Sequence, residues 1–268
     1  SPRYIFTQLS TITKKLFHPN DKPLYQYMED DGQQIEPKCY MPVIPMLLVN
    51  GSHGIGTGWS TSIPPHNPLD LVQFLQCRLN NQTTPLLVPW FKGFKGMVGE
   101  GIMRGCWNWK SANCLHISEL PVGQWSTPYK EFLEKALNGE IGFKKDHVVK
   151  VESNHTDTTV SFLITLSPTF AASLQKDATT LVKKFKLEKK IETGNMHAFD
   201  AQHNLKKYAS TLEIMEDFYH QRLALYKIRK QHILTQLQQQ LQTLAQKIKF
   251  LKLVVDGIFI FKGLNKQQ

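Results

Sequence analysis

The stretch Asn50-Gly-Ser-His-Gly-Ile-Gly-Thr-Gly-Trp59 is the place in this 268-residue chain where residue type and spacing first suggest phosphate chemistry. It follows an apolar run, Met46-Leu-Leu-Val49. The dinucleotide fingerprint G-x-G-x-x-G fails, because from Gly54 the third glycine arrives one place early, at Gly58. The mononucleotide loop G-x-x-x-x-G-K-[ST] fails from Gly51, because Thr57 stands where the lysine is needed and nothing neutralises the β and γ phosphates. A different chemistry fits better. Glycines on both sides of Ile55 let the backbone come close to another surface and leave one bulky aliphatic side chain projecting. An apolar wedge of this shape can enter between stacked base pairs and kink a duplex. The competing reading is a tight turn with Ile55 facing the core, and spacing alone favours it.

Other reactive residues carry less. Cysteines stand at 39, 77, 106 and 114 without Cys-x-x-Cys spacing, which argues against a zinc site and for a reducing compartment. Asp30-Asp31 sits in a turn, Asp30-Asp-Gly-Gln33, and reads as a solvated pair rather than a cation site. The chain opens on Ser1-Pro-Arg-Tyr-Ile-Phe-Thr7, and an Arg3-Tyr4 pair alone means nothing. The charge balance is lopsided, with 32 Lys plus Arg against 22 Asp plus Glu and a net +10. That excess points to a polyanionic partner, of which DNA or RNA is the commonest, or to a basic protein with no such partner. No run of about 20 apolar residues is present to span a membrane. The N-terminus also lacks the apolar core of a secretory signal.

Three regions must position these residues. Up to about Pro45, Ile5, Leu9 and Ile12 fit one helix face, His18-Pro-Asn-Asp21 breaks it, and Leu24, Tyr25 and Met28 suggest a further short turn. This region reads as the back of a small α/β unit whose front is absent, so the chain is expected to be part of a larger polypeptide. From Ile44 to Asp200 the pattern is mixed. Thr158 to Leu166 alternates as a half-buried strand, and Leu115–Leu120, Val148–Val151 and Lys184–Leu187 read as further strands. Helices are expected over Pro68–Leu79 and Pro128–Leu137, each opening on a proline tolerated in the first turn. The mixture indicates an α+β domain. From Leu205 to Val255 there is neither proline nor glycine, and Leu234, Leu237, Leu241, Leu244, Ile248, Leu251 and Val255 step alternately by three and four. That is a coiled-coil seam, and some fifty helical residues predict a rod of ~75 Å that needs a partner helix. Asp256-Gly257 ends it.

Taken together, Ser1-Pro-Arg-Tyr-Ile-Phe-Thr7 and Asn50-Gly-Ser-His-Gly-Ile-Gly-Thr-Gly-Trp-Ser-Thr61 resemble the breakage-reunion region of type IIA DNA topoisomerases, in their eukaryotic form. Ile117-Ser-Glu-Leu-Pro-Val122 with Trp125, His155-Thr-Asp-Thr-Thr-Val160, Phe185-Lys-Leu187 and Leu205-Lys-Lys-Tyr208 are similar to the same family and come in its order. The likeness covers nearly the whole chain. Segments such as Cys106-Trp-Asn-Trp109 diverge and point to a distant lineage, a large DNA virus being one source.

The resemblance implies an α+β multidomain architecture. Residues 1–43 would be the rear part of a winged-helix domain, 44–200 an α/β tower domain, and 201–268 a long antiparallel coiled-coil helix leading to an exit gate. It implies that Tyr4 is the nucleophile that becomes esterified to DNA and that Arg3 supports the transition state. A phenol, with an ordinary pKa near ~10, must lose its proton as it attacks, and a guanidinium suits the charge growing on the phosphate oxygens. It also implies that Ile55 is an intercalating wedge and Trp125 a DNA contact, with Lys92, Lys95, Lys144 and Lys145 as generic basic candidates. The implied cofactors are Mg²⁺, held on a toprim domain outside this chain, and ATP, on an ATPase domain also outside it. The implied partners are double-stranded DNA, a second protomer in a homodimer, and the ATPase/toprim part of the same enzyme, with no membrane. This chain alone is expected not to cleave DNA. The expected location is the nucleus for a cellular enzyme and the host cytoplasm or viral replication site for a viral one. A gyrase-type protein would run the same chemistry. A non-catalytic DNA-bending scaffold or a coiled-coil oligomerisation protein are the competing classes.

Overall fold

The computed structural model describes residues 4–99, 101–156 and 158–258. They divide into two compact units, one made of residues up to Val43 together with those from Glu216 onward, the other of Ile44–Met215. The structure mixes helix and strand throughout.

In the first unit, helix α1 spans only Thr13–Leu16. The helical face expected for Ile5, Leu9 and Ile12 does not form, and all three are exposed. The segment is rich in Ser, Thr and Ile, which lose side-chain freedom in a helix or bond the backbone locally instead. A 3-10 helix, Pro19–Leu24, follows, with the His18 ring accepting from the Asn20 N–H at 3.2 Å. Strands β1 (Tyr27–Asp30) and β2 (Gln33–Pro37) then pair as an antiparallel hairpin. Its turn places Asp31 and Gly32 at φ +47° and +75°, the left-handed pair that an Asp-Gly hairpin turn requires.

The second unit opens on α2 (Met46–Asn50), so the apolar run before the glycines is a helical turn and not a strand. Next come β3 (Ser52–Ile55), β4 (Ser60–Ile63) and α3 (Pro68–Leu79). The bounds of α3 are those expected, with the Asn67 side chain accepting from the Leu69 N–H at 3.0 Å. Strands β5 (Met97–Gly99), β6 (Ile102–Arg104), β7 (Cys106–Ser111) and β8 (Cys114–Glu119) lead to α4 (Ser126–Leu137), which starts two residues earlier than expected. After them run β9 (Val148–Ser153), β10 (Phe162–Leu166), α5 (Pro168–Lys176), α6 (Ala178–Lys184), β11 (Glu188–Lys190), β12 (Met196–Phe199) and β13 (Leu205–Tyr208). Two corrections follow. Lys184–Leu187 is no strand: Lys184 closes α6, and the chain turns at Lys186 with φ +51° before β11 begins. The expected strand from Thr158 begins only at Phe162.

Two sheets organise this unit, one antiparallel in the order β7-β8-β10-β9 and one in the order β11-β6-β5. Phe162, Ile164 and Leu166 on β10 and Leu115 and Ile117 on β8 turn their apolar face inward. They pack there with Tyr129 and Leu133 of α4 and Phe185. The Tyr129 hydroxyl, wholly buried, donates to the Phe185 carbonyl at 2.7 Å. A second core joins Leu48, Ile63, Leu71, Phe74, Met196 and Tyr208 with Met215. Helix α7 runs Thr211–Val255, 45 residues and about 68 Å long at 1.5 Å per residue. It begins later than the run of helix-permitting residues suggests, because Leu205–Tyr208 pairs with β12. Ser210 and Glu213 frame its start, with the Ser210 hydroxyl accepting from the Glu213 N–H and the Glu213 carboxylate from the Ala209 N–H. At its end Gly257 has φ +72°, with Ile258 N–H bonded to Leu253 and Gly257 N–H to Val254, a Schellman stop. Leu234, Leu237, Leu241, Leu244, Ile248 and Leu251 stand exposed along the rod.

Candidate nucleic-acid interface

The glycine stretch is a β-hairpin. Strands β3 and β4 pair in the register Ser52↔Ile63 through Ile55↔Ser60, and the Gly56 N–H donates to the Trp59 carbonyl at 2.7 Å to close the loop. Gly58 lies at φ +79° in that loop. Ile55, the last residue of β3, is 91% exposed. The reading that turns it toward the core therefore fails. His53, Gly54 and Ile55 are all exposed, so this end of β3 leaves the side chain projecting. At the base of the hairpin Gly51 sits at φ +67°, and a Cβ there would lie 2.8 Å from the Ile63 carbonyl oxygen and 2.9 Å from the Pro65 nitrogen. Ile63 is itself buried in the second core, so the ribbon is rooted at one end and bare at the other.

Trp125 stands at the N-cap of α4, where its carbonyl accepts from the Tyr129 N–H at 3.1 Å. Its ring is 75% exposed, which removes the reading of a core tryptophan. It borders two grooves. One, of about 720 Å³, carries Trp90, Phe94 and Lys92. The other, of about 530 Å³, sets Trp125 beside Lys183, Lys186 and Lys189, with Glu188 as the single carboxylate. Neither groove includes Ile55. The Lys186 ammonium lies 4.5 Å from the centre of the Phe132 ring. Sequence reasoning missed these three lysines. Their signal is the basic run Lys183-Lys-Phe-Lys-Leu-Glu-Lys-Lys190, hidden under the strand-like pattern of Lys184–Leu187. Of the four basic candidates named from the sequence, Lys92 lines a groove with Trp125, and Lys95, Lys144 and Lys145 are exposed.

Tyr4 belongs to the first unit and is 75% exposed. Arg3 lies outside the described residues. Asp30 and Asp31 are exposed in the β1–β2 turn, as their spacing suggests. Asp21 in the same unit is wholly buried, and its two oxygens accept from Arg222 and Arg229. Among the described residues no group of three or more His, Cys, Asp or Glu is disposed to hold a metal ion. No helix of the described residues is long and apolar enough to cross a membrane.

Known proteins are similar to this chain in sequence and in fold. The family model for the A-type chain of DNA gyrase/topoisomerase IV matches residues 1–266. The chain therefore belongs to that family, the type IIA DNA topoisomerases. Its relatives include DNA topoisomerase 2 of Saccharomyces cerevisiae, 39% identical over 259 residues, covering 95% of this chain and 18% of the relative. DNA topoisomerase 2 of Candida albicans is 40% identical over 272 residues, covering 99% of this chain and 18% of that protein. The crystal structure of the Plasmodium falciparum topoisomerase II DNA-binding, cleavage and re-ligation domain superposes with a TM-score of 0.80 at 34% identity, over 99% of this chain and 36% of that one. The chain spans about a fifth of the length of the curated relatives it matches, 18% in each of these two.

Proposed function

We propose that this chain is the strand-breaking and rejoining part of an ATP-dependent type II DNA topoisomerase. In this reading the enzyme makes a transient double-strand break through phosphotyrosyl links and passes a second duplex through it. The observation that carries the reading is a family match along residues 1–266 that includes the Pro2-Arg-Tyr4 motif, with Tyr4 open to solvent. The Tyr4 phenolic oxygen attacks a backbone phosphorus and loses its proton. One phosphorus–oxygen bond to the sugar breaks, and the departing sugar oxygen takes up a proton. One phosphate ester replaces another, so the bond energy is retained and resealing is the same step reversed, with no need of ATP. Arg3 offers the phosphate oxygens a planar fork of donors as their charge grows.

Positioning falls to the rest of the chain. Ile55, at the tip of its hairpin, enters the base stack, and bending a site of 20–30 base pairs costs of order 1–6 kcal/mol that other contacts must offset. The net charge of +10 supplies such contacts to phosphates without reading sequence. Trp125, with Lys183, Lys186 and Lys189 beside it, presents an aromatic face flanked by cations to the backbone.

In domain terms we read 1–43 as the rear of a winged-helix domain, 44–200 as the tower and 201–268 as the arm leading to an exit gate. The exposed leucines of α7 take a partner helix, and two protomers each break one strand. Mg²⁺ is supplied on a toprim domain and ATP on an ATPase domain, both elsewhere in a protein as long as its relatives. We place the enzyme with the DNA it serves, in the nucleus for a cellular source; one relative, from Dictyostelium discoideum, is described as mitochondrial.

Tyr4→Phe in the full-length protein tests the reading. Relaxation of supercoiled DNA should be lost while DNA binding stays. Survival of relaxation would instead favour a scaffold that bends DNA without cutting it.

A further inference from the structure

We propose that Thr61 and Asn195 are positioning residues for the Ile55 hairpin, holding its strand β4 against β12 so that the wedge is stiff before DNA arrives. The inference rests on the reading of Ile55 as a wedge. It begins from a mechanical difficulty. A ribbon of two four-residue strands is marginal by itself in water. The β3–β4 ribbon is a sheet of two strands only, and the Gly54 position has nothing within 4 Å of where a Cβ would be. A side chain pushed between base pairs would bend such a ribbon aside unless something braced it.

The brace is on the other strand. Each residue from Trp59 to Ser62 is tied to the segment Asn195–His197. The Ser62 N–H donates to the Asn195 carbonyl at 2.7 Å. The Thr61 hydroxyl donates to the His197 carbonyl at 2.8 Å and accepts from the His197 N–H at 3.1 Å. One hydroxyl thus serves as both the donor and the acceptor that a neighbouring strand's peptide would provide. The Asn195 side-chain amide donates to the Ser60 hydroxyl at 2.7 Å, and Ser60 is the residue paired across the ribbon from Ile55. The Trp59 and His197 rings meet edge to face with centroids 5.4 Å apart. The anchor is firm, because β12 continues into the second core through Met196, which is wholly buried, and pairs there with Tyr208. Asn195 and Thr61 thereby connect the tip of the wedge to packed interior. A group already held in its working geometry loses less freedom on binding, so the brace favours the bent duplex specifically.

The test uses the full-length protein and a duplex labelled at both ends, with bending read by energy transfer and affinity by titration. Thr61→Val keeps the shape of the side chain but strands the His197 N–H and carbonyl. Thr61→Ser keeps the hydroxyl, and Asn195→Ala removes the link to Ser60. Thr61→Val and Asn195→Ala should each lower the bent-to-straight ratio about tenfold, the size expected for a lost hydrogen bond at a half-buried site. Affinity should fall far less, since phosphate contacts dominate it, and the melting temperature should fall by no more than a few degrees. Thr61→Ser should bend DNA as the unsubstituted protein does. Ile55→Ala serves as the reference. If Ile55→Ala straightens the duplex while Thr61→Val and Asn195→Ala do not, the brace is wrong and the wedge stands. If Thr61→Ser bends as poorly as Thr61→Val, the hydroxyl is not what acts, and the inference is overturned. If Ile55→Ala itself bends normally, the wedge reading falls and the brace with it.

Discussion

Arg222 donates from Nη1 to Asp21 Oδ2 at 2.8 Å, with the two side chains 5% and 0% exposed. Arg229 reaches the other carboxylate oxygen at 3.1 Å. Between the two arginines lies Tyr226, whose ring centre is 4.1 Å from one guanidinium carbon and 4.6 Å from the other. Residues 222, 226 and 229 share a face because helical neighbours recur at three and four places. Arg222 also donates to the Met41 carbonyl at 3.3 Å. Arg222 thus secures both the 3-10 helix, through Asp21, and the segment after the β1–β2 hairpin, through Met41, to α7. Removing one partner of a buried ion pair strands the other charge, at a cost of about 3–5 kcal/mol. Asp21→Ala should therefore lower unfolding stability by an amount of that order in denaturant titration. Removing the solvated Glu152, paired with Lys150 on the surface at 2.6 Å, should shift it far less, because water and salt screen an exposed pair.

Gly51→Ala should cost more than a surface glycine change. The added Cβ meets two backbone atoms inside 3.0 Å, Ile63 O and Pro65 N, and the residue must keep a positive φ. Neither neighbour is a flexible side chain that can move away. We expect a loss above about 1 kcal/mol together with weaker DNA bending, since the same residue roots the Ile55 ribbon. Gly54→Ala, where nothing lies within 4 Å, should leave stability nearly unchanged. Parallel melting curves of the two variants check this.

His66 sets an acid limit. Burial holds its ring below the ordinary imidazole range, so the folded chain keeps it neutral. The unfolded chain takes up a proton below about pH 6.5, whereas the folded chain resists until lower pH. The stabilising contribution is thus complete above the unfolded value and lost as pH falls through the folded one. Unfolding midpoints at about pH 8 and about pH 5 should differ less in His66→Leu than in the unsubstituted protein.

Tyr129 sets the alkaline counterpart. Its burial raises the phenol far above the ordinary range, so it stays neutral in the fold. The unfolded chain ionises it above about pH 10, so stability is complete below that value and declines above it. Tyr129→Phe should remove that alkaline slope. At neutral pH it should cost about 1 kcal/mol or more, because the Phe185 carbonyl loses its 2.7 Å donor.

Local chemistry was legible wherever local chemistry decides. The helix Pro68–Leu79 followed from the proline at its first turn, and alternation found the strand that ends at Leu166 although it begins at Phe162 and not at Thr158. The rod followed from its heptads, although its first turn did not, because β12 captures Leu205–Tyr208 as a strand partner and sequence-local signals do not see a partner several residues back. Ile5, Leu9 and Ile12 have helical spacing but are exposed among the described residues, so propensity prevailed. Asp21 and Arg222 are 201 residues apart, and nothing near either announces the other. Spacing around Ile55 favoured a core-facing turn, and the exposed ribbon overturned that reading. The lysines beside Trp125 converge because α6 ends where the chain turns back at Lys186, a position whose left-handed backbone no local residue preference foretold.

The proposed reaction stands or falls on Tyr4 carrying the broken strand. It is checked by trapping the DNA–protein adduct formed by the full-length enzyme, digesting it, and locating the nucleotide-bearing peptide by mass spectrometry. The expected result is a phosphodiester on Tyr4 in the peptide that contains it, and no adduct from Tyr4→Phe. A nucleotide on any other side chain, or an adduct that persists in Tyr4→Phe, contradicts the assignment.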